Sequence, residues 1–87
     1  MIITIQIKLM PNPTSGDFYL SAKGVINKNI SIEITNILGQ KVFVSQLKAG
    51  TNDFSHIINL GNAADGIYYV KITIDKDIYL RAIAKQN

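Results

Sequence analysis

Apolar and polar residues alternate with a period of two along most of this chain. Ile3, Ile5, Ile7 and Leu9 are separated by Thr4, Gln6 and Lys8. That is the pattern of a strand with one buried face, and Pro11 ends it by withdrawing a ladder donor. Phe18 and Leu20 point one way in a second strand, with Asp17 and Tyr19 on the opposite side. Ile30, Ile32 and Ile34, alternating with Ser31, Glu33 and Thr35, form the most regular stretch of the sequence and predict a third strand. A fourth is expected over about residues 40–47 and a fifth over about residues 54–60, with Gly50, Thr51, Asn52 and Asp53 turning the chain between them. The sixth, over residues 67–74, places Tyr68, Val70, Ile72 and Ile74 on one apolar face. Asp75-Lys76-Asp77 then reads as the turn into a seventh strand over about residues 78–85.

About seven short strands, with turn signals every 8–12 residues or so and no stretch of helical period, predict an all-β fold, an immunoglobulin-like antiparallel β-sandwich. Residues 60–65 are too few and too glycine-bearing for more than a turn of helix, and read as a loop. With no internal repeat, low-complexity stretch or linker, residues 1–87 are expected to form one domain.

Three segments join turn chemistry to strand entry. In Pro11-Asn12-Pro13 the prolines fix their own φ and bias Met10 and Asn12 away from the helical region, and Thr14-Ser15-Gly16 permits a sharp turn. In Asn36-Ile37-Leu38-Gly39 the Asn side chain can bond the backbone two residues on, and Gly39 can take positive φ, closing a hairpin between strands three and four. Gly66, following Asp65, gives a tight entry to strand six, where Tyr68 is expected to bury its ring and keep its hydroxyl within reach of a partner.

Composition narrows the chemistry. A hydrophobic share of 47% with 17% charged residues belongs to a folded chain. At 87 residues it supports a single core and buries roughly 60–65% of its unfolded surface. The absence of cysteine excludes a disulfide framework, a thiolate metal site and a cysteine nucleophile. The net charge of +3 comes from dispersed basic residues without a block of like charge, which favours a solvated face over a nucleic-acid or membrane patch. No run approaches the roughly 18 apolar residues of a membrane span. Residues 1–10 lack the basic leader and cleavage site of a signal peptide, so an export signal would lie upstream.

Each tempting site has a plainer reading. His56 is the sole histidine and has no cysteine to join it at zinc, so it reads as an ordinary strand residue. Asp75 and Asp77 fall short of the six to eight oxygens that calcium takes, and read as turn residues. Thr14-Ser15-Gly16 lacks the glycine spacing, lysine and helix of a phosphate loop. Asn29-Ile30-Ser31 fits a glycosylation pattern, whereas Asn12-Pro13-Thr14 is blocked by its proline. Tyr19, Tyr69 and Tyr79 suggest a sugar-binding platform less than cross-strand packing. No cofactor, metal or small-molecule substrate is expected. An enzyme is the least expected class, since no triad or carboxylate pair stands in a recognisable setting.

In this order the segments resemble a family, the type A C-terminal sorting domains of the type IX secretion system, also called Por secretion tails. The resemblance covers about residues 7–86. It rests on Pro11, Asn12, Pro13 and Gly16 followed by Phe18 and Leu20; on Asn36, Gly39, Gln40 and Val42; on Leu47 and Gly50; on Gly66, Ile67, Tyr68, Val70, Lys71 and Ile72; and on a closing basic-apolar strand with Arg81, Ile83, Lys85 and Gln86. Small residues at Ala63, Ala82 and Ala84 depart from the larger or basic ones common there.

The resemblance implies a tag on a secreted protein of Bacteroidota. The N-terminal cargo would cross the inner membrane by a signal peptide, and the outer-membrane translocon would read the tail in the periplasm. A surface sortase would then remove it, leaving the cargo at the cell surface or outside the cell. A sandwich can be read along a sheet edge or on one face. Tyr79, Arg81, Ile83 and Lys85 are therefore expected as an outward stripe facing the translocon, alternating with inward Ile78, Leu80, Ala82 and Ala84. A small adhesion or carbohydrate-binding sandwich, or a spacer within a larger surface protein, remains an alternative because fold alone decides no function.

Overall fold

Ile30, Ile32 and Ile34 project from one face of a strand at the centre of the larger of two sheets, and the molecule is built around them. The computed structural model describes residues 5–86, with seven strands and no helix among them. They are β1 (Gln6–Met10), β2 (Asp17–Lys23), β3 (Asn29–Thr35), β4 (Lys41–Lys48), β5 (Asp53–Asn59), β6 (Gly66–Ile74) and β7 (Asp77–Lys85). Ile3 and Thr4, expected in the first strand, lie outside the described residues. The last four strands fall within a residue of their expected bounds, and residues 60–65 form a loop as expected.

The strands form two antiparallel sheets, ordered β1-β2-β5 and β4-β3-β6-β7, packed face to face as a β-sandwich. Period two decides which side chains meet between them. Phe18, Leu20 and Ala22 of β2 and Ile58 of β5 face the three isoleucines of β3 and Tyr68, Val70, Ile72 and Ile74 of β6. Each fully buried Ile, Leu or Phe contributes about 1.5–3 kcal/mol over its exposed state. His56, on β5, stacks its ring on Phe54 at 6.1 Å between centroids, as an ordinary strand residue does.

At one pole, Asp75 opens the two-residue β6–β7 turn with φ of 53°. Its carboxylate accepts the Asn29 N–H at 3.0 Å and lies 3.5 Å from Lys28 Nζ. The Asn29 hydrogen bond holds the Asp75 pKa below its usual 3.8; slight desolvation opposes it, and the Lys28 charge adds to it. A lowered carboxyl pKa adds stability above the unfolded value and loses it as pH falls through the folded one. Asp75→Asn should therefore flatten the acid limb of stability below about pH 4, leaving its slope near neutrality unchanged, as urea titrations across pH would show.

Candidate functional site

The segment that begins with two prolines does more than turn the chain. It leaves β1 at the edge of the smaller sheet, reaches β7 at the edge of the larger one, and returns to β2. Asn12 Nδ2 donates to Ala82 O at 3.1 Å, and Ala84 N donates to Asn12 Oδ1 at 3.0 Å. Thr14 N donates to Ala84 O and Gln86 N donates to Thr14 O, both at 2.8 Å, forming a parallel bridge between Thr14 and Lys85. Proline has no N–H to offer a ladder, so the Asn side chain between the two prolines supplies both a donor and an acceptor. The peptide bonds before Pro11 and Pro13 are cis. Thr14 is buried, its hydroxyl donating to Asp17 O and accepting from Gly16 N, while Gly16 O accepts from Leu60 N. A six-residue strap, residues 11–16, thus ties the last strand to the body of the fold.

The second segment closes the β3–β4 hairpin as its local chemistry predicts. Asn36 Oδ1 accepts from Leu38 N at 2.9 Å and Gln40 N at 3.0 Å, and its Nδ2 donates to Gln40 Oε1 at 2.9 Å. Gly39 has φ of 81°, a conformation that costs a side-chain-bearing residue energy. The register slips by one between Ile34 and Thr35, so Val42 has no partner opposite it and projects outward. This geometry leaves Ile37 and Leu38 at the turn tip 73% and 78% exposed.

The third segment lies beside both. Tyr68 is buried, and its hydroxyl donates to Ala64 O, the partner expected for a buried tyrosine. Gly66 sits opposite Lys85 in the β6–β7 pair, and Lys85 Nζ is 3.3 Å from Asp65 Oδ1. One shallow pocket joins Ile37 and Leu38 to residues 64–68, and another joins residues 65–67 to residues 84–86. The strap, the Asn36 turn, the entry to β6 and the end of β7 therefore meet at one pole of the sandwich. Gly50 lies at the other, beside Ala49, whose N–H donates to Lys28 O.

The sequence profile of the family described as "Secretion system C-terminal sorting domain" matches residues 8–86. The chain belongs to this family. Domains of this kind are C-terminal signals for type IX secretion, carried behind a cargo that is exported across the outer membrane to the cell surface or the surroundings, and the family is not catalytic. The sorting domain is also similar to an endo-acting ulvan lyase of Formosa agariphila, with 28% identity over 72 residues. That alignment covers 83% of this chain but spans only 13% of the lyase.

The sorting domain corrects one expectation drawn from its last strand. Tyr79 is half-buried, Arg81 exposed, and Ile83 and Lys85 buried, whereas Ile78, Leu80 and Ala82 face out. The stripe expected to face outward is thus turned inward, with only Arg81 reaching solvent at the sheet edge. The cause is the turn. Asp77 pairs with Ile74, so only Asp75 and Lys76 lie between the strands. Residues directly opposite in an antiparallel pair share a face, which puts Tyr79 beside Ile72, Arg81 beside Val70, Ile83 beside Tyr68 and Lys85 beside Gly66. Reading Asp75-Lys76-Asp77 as a three-residue turn left that parity unfixed. Asp65 and the reach of Asn12 to Ala82 and Ala84 had no sequence signal, because each depends on a contact between distant parts of the chain.

Proposed function

We propose that the outer-membrane translocon reads the folded sorting domain at the pole where its signature segments meet. An N-terminal cargo would bring the domain into the periplasm, and a surface sortase would detach it after export; the domain acts as one recognised unit over residues 1–87 and carries out no reaction itself. Pro11, Asn12, Pro13, Gly16, Asn36, Gly39, Gly66 and Tyr68 shape the pole, Val42 and Ile67 border it, and Val70 and Ile72 root it in the core. Gly50 serves the opposite turn.

The observation that carries this reading is the convergence of separated segments around an exposed apolar tip. Ile37 and Leu38 stabilise nothing by burial, yet stand beside Ile67 on a rigid turn. Exposed apolar side chains grouped on a rigid element suit contact with a protein partner. Substituting both by serine should change stability by no more than about 0.5 kcal/mol, as is usual for exposed positions. Export of a reporter fused ahead of the domain should fall severalfold, while Val44→Ser, also exposed but on the open face of β4, leaves export unchanged. Full export of the Ile37→Ser/Leu38→Ser variant would overturn the assignment of this pole.

A further inference from the structure

The strap covers only part of the edge of β7. Ala82 O, Ala84 N and Ala84 O are bonded to Asn12 and Thr14, so these backbone groups point away from β6. By the alternation of an antiparallel ladder, the N–H and C=O groups of Ile78 and Leu80 point the same way. Leu80 O receives Arg81 Nη1 at 2.9 Å, and among the described residues no strand lies beyond. Residues 77–81 therefore form an open edge. It contains no proline, lysine or bulge, and its charged residues, Asp77 and Arg81, are opposite in sign. Its outward side chains, Ile78 and Leu80, are 59% and 68% exposed.

The sequence of that edge, Asp77-Ile78-Tyr79-Leu80-Arg81, is complementary to itself when run antiparallel. A two-fold axis through Tyr79 sets Asp77 opposite the partner's Arg81 and Ile78 opposite the partner's Leu80. Because the outward backbone groups belong to Ile78 and Leu80, each of these pairs exchanges two ladder hydrogen bonds. Arg81 releases Leu80 O as it turns to the partner's Asp77, so one side-chain movement frees the acceptor and forms the ion pair. The apolar side chains meet on the outer face, where each is now exposed. We propose that two copies of this chain pair through the open half of β7, joining their larger sheets into one continuous sheet. The strap limits the contact to this half, beyond Ala82, and the surface lies apart from the pole formed by Ile37 and Leu38.

Sedimentation of the chain from about 10 µM to about 1 mM, the range in which so small an interface associates, should show a concentration-dependent dimer. Asp77→Arg and Arg81→Asp each set like charges opposite one another twice, and each should weaken the dimer at least about tenfold. An equimolar mixture of the two variants should recover it as a mixed dimer, and so should the double variant alone. Circular dichroism checks that each variant keeps its strands. A chain that stays monomeric at about 1 mM overturns the proposal. So does a dimer indifferent to both single substitutions, which points to another edge, or a loss that mixing does not restore.

Discussion

Lys85→Glu is expected to destabilise the sorting domain by about 3–5 kcal/mol, the usual effect of leaving a buried charge without its counterpart. A chain of this length has a total stability of only about 4–13 kcal/mol, so a substantial fraction of molecules should unfold well below the wild-type midpoint. Lys85 is 3% exposed and its ammonium lies 3.3 Å from Asp65 Oδ1, on the inner side of β7 two residues from fully buried Ile83. A glutamate there would hold a carboxylate at a buried position and set it against the half-exposed carboxylate of Asp65. Lys85→Met keeps most of the apolar stem and removes the buried charge, and the carboxylate it leaves behind, that of Asp65, is half exposed and stays hydrated. Its expected cost is about 1 kcal/mol or less. Urea unfolding of the three proteins, with unchanged m-values, separates these cases. A surface lysine would give less than about 0.5 kcal/mol for either substitution, so the measurement also decides between an inward and an outward end of β7.

The parts of the fold legible in the sequence are those whose chemistry is local. Ile30, Ile32 and Ile34 alternate with polar residues so regularly that only one face of β3 can be buried, and the side chain of Asn36 needs to reach only Leu38 and Gln40 to close its turn. β7 is different because its wholly apolar face is not the one that the sandwich buries, and the inward face mixes Tyr79 and Ile83 with Asp77, Arg81 and Lys85. Ile78, Leu80, Ala82 and Ala84 form the more apolar set, yet they lie outward, because the two-residue turn couples their parity to that of β6. A slip of one residue in counting a turn reverses every side chain that follows. The burial of Lys85 ran against the general exposure of lysine. Asn12 illustrates another limit, since its partners Ala82 and Ala84 lie at the far end of the chain. Local chemistry identifies the prolines beside it as extended or turn-forming, but only the closing of the sandwich brings that side chain to an edge in need of both a donor and an acceptor.

Ile32→Ala should lower stability by about 2–5 kcal/mol and the unfolding midpoint by more than about 10 °C. Ile32 is fully buried in β3, which pairs with β4 on one side and β6 on the other, so the cavity left by the lost carbons opens at the centre of the larger sheet. Ile32→Val removes a single methylene and should cost about 0.5–1.5 kcal/mol. Glu33→Ala alters the next residue, on the outer face, and removes an ion pair with Lys41 at 3.7 Å that is exposed on the lysine side; it should cost less than about 1 kcal/mol. This graded series separates reading of a folded surface from reading of an extended peptide. If the pole formed by the strap and the Asn36 turn is the signal, export of a fused reporter should fall with the folded fraction. Raising the growth temperature through the Ile32→Ala midpoint should then abolish export for that variant first, with Ile32→Val failing at a higher temperature and Glu33→Ala following wild type. Export that stays constant while Ile32→Ala is mostly unfolded would show that the chain is read in extended form, because the apolar tip of Ile37 and Leu38 exists as a surface only while β3 and β4 remain paired.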